Sequence, residues 1–180
     1  MNHALGYPML LLAGLALTAC ESHVSDSTAV APKTAVAVYS KETLASIDHY
    51  EASAKDVSAR LTQGTEIVAL KRDTHMLLDL AGSITPAFVE RHAACKEYLD
   101  AALNVREAWV KLDAEMIERD YHDDGALPKE GITPACYHMK DPIVHPATVM
   151  ILLNQAEPDL EKAKREIDEV IAHVAVVRAG

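Results

Sequence analysis

Apolar residues recur along most of this chain at alternating spacings of three and four, the period of a helix with one buried face. Ile47, Tyr50, Ala54, Val57 and Leu61 form the first such stripe, and Ser40 stands where an N-cap would. Ile67, Leu70, Thr74, Leu77 and Ala81 continue it, with a slip of phase near Gly64. The run Gly82-Ser83-Ile84-Thr85-Pro86 reads as punctuation: a glycine for a helix end, a threonine N-cap, and a proline at the first position of the next helix. Cys95, Leu99, Ala102, Val105, Trp109, Leu112 and Met116 then share one face up to Tyr121. Pro146 can open another helix, and Leu160, Ala163, Ile167, Val170, Val174 and Val177 give the most regular stripe of all. The pattern predicts an all-α fold.

How many helices there are turns on Gly64. A break there leaves segments of about 23, 18, 36 and 33 residues, which match poorly as packing partners, whereas a helix running through it costs about 1 kcal/mol. The lengths then become about 42, 36 and 33 residues, comparable rods of roughly 50 to 60 Å. The expectation is an up-down-up antiparallel bundle of three long helices, with a four-helix bundle as the alternative. Pro158 would kink or restart the last rod.

Composition agrees with helices: aromatics are 4% of the chain, while Ala, Leu, Glu and Lys are plentiful. The formal charge is -10, and none of it falls in the first nineteen residues. An acidic body repels phosphate backbones, so nucleic acid is not an expected partner.

Residues 9–17 are an unbroken apolar run, too short to span a bilayer, which needs about 20 residues, but long enough for the hydrophobic region of a signal peptide. Leu17-Thr18-Ala19-Cys20 follows directly. This tetrapeptide resembles the lipobox of bacterial lipoproteins, a Leu, two small residues and Cys. The resemblance covers the N-terminal segment alone. It implies cleavage before Cys20, acylation of its sulfur, and a mature chain held to a membrane by lipid. Glu21 follows the cysteine in place of the Asp that tends to retain lipoproteins in the inner membrane of enteric bacteria. The resemblance therefore implies the periplasmic face of the outer membrane in a diderm, and otherwise the outer face of the cell membrane. Residues 20–40 are small and polar around Pro32 and read as a flexible tether, reaching roughly 65 to 70 Å when extended. The expected organisation is a signal peptide at 1–19, the lipidated tether at 20–40 and a helical domain at 41–180. The chain ends Val177-Arg178-Ala179-Gly180, without the terminal lysine through which some lipoproteins join peptidoglycan, so that link is not expected.

Export also bears on the other two cysteines. In an oxidising compartment Cys95 and Cys136 are expected to pair, pinning a long loop to a helix.

That loop, residues 122–145, carries the candidate chemistry. His122, Asp123, His138 and His145 offer imidazole and carboxylate donors suited to zinc or copper, with His92, one turn before Cys95, as a further candidate. Their spacing matches no metal motif. The ordinary alternative is local: Asp123-Asp124-Gly125 and Asp141-Pro142 are turn chemistry, and His145-Pro146 a helix entry. The run Glu161–Glu166 reads as a solvated face with Glu161–Arg165 and Lys162–Glu166 ion pairs. There is no CxxCH haem attachment, phosphate loop, GxSxG or HExxH, so no enzyme is expected. The sequence thus predicts a membrane-tethered helical interaction or assembly module with an envelope protein partner and no cofactor. The alternative is a metal- or small-ligand-binding lipoprotein using the 122–145 loop.

Overall fold

A computed structural model describes residues 38–179, and among these every regular element is helical. The signal peptide, Cys20 and nearly all of the tether lie outside the described residues.

Four long helices carry the core: α1 (Lys41–Leu61), α2 (Ile67–Arg91), α6 (Pro134–Leu153) and α7 (Leu160–Ala179). Between α2 and α6 lie the short α3 (Lys96–Leu103), α4 (Val105–Ala108) and α5 (Ala114–Ile117), joined by 3-10 turns and followed by a π-helical turn at Glu118–His122. The long helices pack as neighbours α1 on α2, α2 on α6, α6 on α7, and α7 back on α1. Ser40 caps α1 by accepting from the Thr43 amide. The stripes Ile47, Tyr50, Ala54, Val57, Leu61 and Ala163, Ile167, Val170, Val174, Val177 are buried in the core. Tyr39 donates to the Val177 carbonyl and Ser58 to Asp168, which fixes α1 and α7 as antiparallel.

Three long rods are not what forms. Gly64 has φ +69°, a left-handed conformation that no right-handed helix accommodates and that glycine adopts at little cost. The chain reverses there, so α1 and α2 bury their stripes against each other rather than continuing as one rod. Arg60 on α1 pairs with Asp73 on α2 across the turn. The burial gained by this docking outweighs the continuity that matched lengths suggested.

Gly82 and Pro86, expected as a helix end and start, lie inside α2. A Cβ on Gly82 would stand 2.5 Å from the Arg106 guanidinium, so the glycine makes room for a side chain rather than ending a helix. Arg106 passes over it to reach Asp79. Beyond Arg91 the expected third rod is a string of short pieces. Its apolar face turns inward as far as Val105, with Cys95, Leu99, Ala102 and Val105 fully buried, while Trp109, Leu112 and Met116 are only half-buried and Ile117 takes the inward place. Of the two outcomes expected at Pro158, the rod restarts rather than kinks: α6 ends at Leu153, α7 begins at Leu160, and Asp159 caps it by accepting from the Lys162 amide.

The largest departure is α6. Half of the 122–145 segment expected as a loop is helical, and helix starts at Pro134 rather than Pro146. Thr133 takes the extended N-cap conformation, Pro134 fills the first position, and both Pro142 and Pro146 lie within the helix. Pro146 has no N–H to give the carbonyl of Pro142 four residues earlier. The Tyr50 hydroxyl, reaching across the core from α1, donates to that carbonyl at 2.7 Å instead. The bond between Cys95 and Cys136 forms as expected, tying the start of α3 to the first turn of α6.

Candidate metal centre

Two helices each present a polar strip at positions i, i+3 and i+7: His138, Asp141 and His145 on α6, and Glu166, Glu169 and His173 on α7. That spacing places three side chains along one face of a helix. Because α6 and α7 are antiparallel neighbours, the strips meet head to tail. His145 faces Glu166, with Nδ1 2.7 Å from Oε2, and His138 faces His173, with the two Nδ1 atoms 2.9 Å apart.

The π-helical turn adds a third element. His122 lies edge-on to His145, ring centroids 4.7 Å apart, and its Nε2 is 3.9 Å from the same Glu166 oxygen. Donor atoms of His122, His145 and Glu166 all fall within 4.8 Å of one another, and this is the one set of three or more such donors that converges so among the described residues. The turn that brings His122 there is held tightly. Its wide bond runs from the Asp123 amide to the Glu118 carbonyl, and such turns are frequent at functional sites. Gly125 closes on the Arg119 carbonyl, 2.4 Å from where a Cβ would stand. Buried Lys140 donates to the His122 carbonyl and to Asp124, and Tyr98 donates to the same carboxylate oxygen.

Burial holds the His122 imidazole below its ordinary pKa, and the neighbouring His145 adds to the effect. A nitrogen kept unprotonated near neutral pH is one ready to ligate. Burial alone would push the Glu166 carboxyl up, but the hydrogen bond and charge of His145 more than offset it and leave the carboxylate below its usual range. His122 Nε2 is 2.9 Å from the Thr148 hydroxyl, which donates to the Val144 carbonyl. Ligation at Nε2 therefore requires both a move of the ring proton to Nδ1 and a turn of the imidazole away from the Thr148 hydroxyl, which occupies the direction of that nitrogen. The cluster opens on a cleft of about 740 Å³ whose wall includes Glu115, Glu118, Asp123 and Glu169 against Arg119 and Lys162. The surplus of carboxylates favours cations at its mouth.

Of the four donors singled out in the sequence, His122 and His145 come together. Asp123 stays exposed on the cleft wall, outside the cluster. His138 lies two turns from His145 and meets His173 instead. His92 stacks on Phe88, with no contact to the cluster. Glu166, Glu169, His173 and Asp141 were not anticipated. Glu161 pairs with Arg165 as expected, but Glu166 faces His145 rather than joining Lys162 on the surface. The repeat at i, i+3 and i+7 beside an apolar stripe marks Glu166, Glu169 and His173 on α7, whereas α6 has no one-sided stripe to set its own strip against.

Compared with protein-family models, curated proteins and solved structures, the chain matches none of them.

Proposed function

We propose that this is a lipid-anchored, extracytoplasmic protein whose helical domain binds a divalent transition metal, zinc or copper, through His122, His145 and Glu166. One observation carries the reading: three donors from three separate segments converge within 4.8 Å on the floor of an acidic cleft. Two imidazoles and a carboxylate suit zinc, and three protein ligands leave a fourth position for water or a small ligand. The packing order of the long helices supports an up-down-up-down four-helix bundle, in which facing helices supply inward donors. The anchor rests on Leu17-Thr18-Ala19-Cys20. A role in envelope assembly stays second, because the exposed large apolar residues Val38, Val68, Met76, Val110, Tyr137 and Val176 are spread along the chain.

Zinc and copper titrated calorimetrically into the purified protein test the reading. Binding tighter than micromolar is expected, weakened at least about 100-fold at this site by His122→Ala or Glu166→Gln, since even outer-shell changes cost 10–100-fold. Weaker binding by the unaltered protein, or indifference to both substitutions, would contradict it. For the anchor, Cys20→Ser is expected to release the protein from the membrane fraction.

A further inference from the structure

His145 has a second side. Its Nδ1 faces Glu166, while its Nε2 looks the other way, 3.9 Å from Asp141 Oδ1 and 3.8 Å from Glu169 Oε2. Both distances exceed a hydrogen bond, so two carboxylates stand near this nitrogen without holding it. They differ in how they are fixed. The Glu169 side chain is 63% exposed and has solvent to turn into. That of Asp141 is 14% exposed, and its other oxygen, Oδ2, is 3.0 Å from His173 Nδ1.

His138 completes the brace. Its Nδ1 is 2.9 Å from the same His173 nitrogen, and a single N–H on His173 serves both neighbours, shared between the Asp141 carboxylate and the His138 lone pair. This end of the α6–α7 seam is thus satisfied by hydrogen bonding alone. Its effect is to hold one oxygen of Asp141 and leave the other aimed at His145. Metal chemistry gives that aim a use. An imidazole that ligates through Nδ1 carries its proton on Nε2. At His145 that N–H faces two acceptors, where a lone pair would face two anions. Metal-bound imidazoles commonly donate their second N–H to a carboxylate, which fixes the ring and makes the ligating nitrogen more basic.

We propose that Asp141 is a positioning residue of the metal centre: it accepts the Nε2 proton of His145, and His173, with His138 behind it, holds the carboxylate in place. The inference rests on the metal reading of His122, His145 and Glu166, and names the residues that orient one ligand of that site. A cation on Nδ1 polarises the Nε2–H bond, and an approach of about 1 Å then brings Asp141 Oδ1 within hydrogen-bond reach. Each member of the α6 strip has a part in this. His145 ligates, Asp141 orients it, and His138 steadies Asp141 through His173.

Zinc titration of the purified full chain, disulfide intact, combined with nitrogen NMR of its histidine rings, tests this. In the zinc-bound protein, His145 is expected to hold zinc at Nδ1 and a proton at Nε2, with that N–H slow to exchange with water. Asp141→Asn, a near-isosteric change, should weaken zinc binding about 10–100-fold and speed exchange of that proton. His173→Leu, which removes the N–H behind Asp141, should do the same to a smaller extent, and Glu169→Gln should change neither. Thermal melts in chelator establish that each variant is folded, and the tautomer is read from the unaltered protein alone. Zinc bound with the His145 proton on Nδ1 would overturn the role of Asp141 while leaving the metal centre standing. So would Asp141→Asn with exchange of the Nε2 proton unchanged, whatever its affinity, because a purely structural role leaves that proton undisturbed. No zinc bound by the unaltered protein would overturn the centre itself.

Discussion

Burial sets the charge of His122 and His173 alike. It holds both imidazoles below their ordinary pKa; at His173 the Asp141 carboxylate opposes it without prevailing. Each ring takes up a proton more readily in the unfolded chain than in the folded one. Their contribution to stability is therefore complete above the unfolded value of about 6.5 and is lost as pH falls through it toward the folded values. Glu166, also depressed, loses its contribution in the same direction but in the more acidic carboxylate range. In chelator, the urea midpoint is expected to fall as pH is lowered from about 7.5 to 5, and a flat profile would contradict the assignment. His122 and His145 could be read as candidate donors because their chemistry is a property of residue type, while His173 sits in a helix whose stripe drew attention to its apolar side. Glu166 could not, because a Lys four residues earlier offers it a plausible helical ion pair. Only knowledge of which face meets α6 removes that choice.

At the scale of elements, α6 was the least legible and α7 the most. α7 is wet on one side, so burial stamps a 3.6-residue period on its sequence. α6 is covered by α2 and α7 and also by α3, α4, α5 and the turn at Trp109–Lys111, and from Met139 to Leu153 nearly every residue is buried. A helix buried all round has no polar face to mark its period, and its two prolines then read as turns. Their cost is met from outside the helix. Burial pushes the Tyr50 phenol well above its ordinary pKa, which keeps it a donor to the Pro142 carbonyl. Tyr50→Phe strands that carbonyl and is expected to cost about 1–3 kcal/mol in urea unfolding. In a Pro146→Ala background the new amide can serve the carbonyl, so the same substitution should cost measurably less. Equal costs in both backgrounds would show that the hydroxyl does not stand in for the missing amide.

Across the whole molecule, the inserted segment between α2 and α6 decides whether a site exists. The four long helices alone bring His145 to Glu166; the insert brings His122 over them. Two ties hold it: the Cys95–Cys136 bond, and the buried Lys140–Asp124–Tyr98 group. The cysteine pair was legible once Cys20 was set aside as the expected lipid site, which left two thiols for the expected oxidising compartment. The network was not, because Asp124 at φ 58° and a fully covered lysine only make sense once the π-helical turn is in place. A link spanning 41 residues stabilises by about 4 kcal/mol in the chain-entropy model. Reduction is expected to lower unfolding free energy by that order and to weaken zinc binding with it, since the segment bearing His122 gains freedom. Zinc affinity unchanged on reduction would mean that Lys140 and its partners suffice to hold the turn.

The most direct measurement is an anomalous difference map at the zinc edge from crystals grown with zinc. A peak in contact with His122, His145 and Glu166 together is the expected result. A peak confined to exposed carboxylates such as Glu115 or Asp123, with the three donors still bonded among themselves, would contradict a metal centre at this seam.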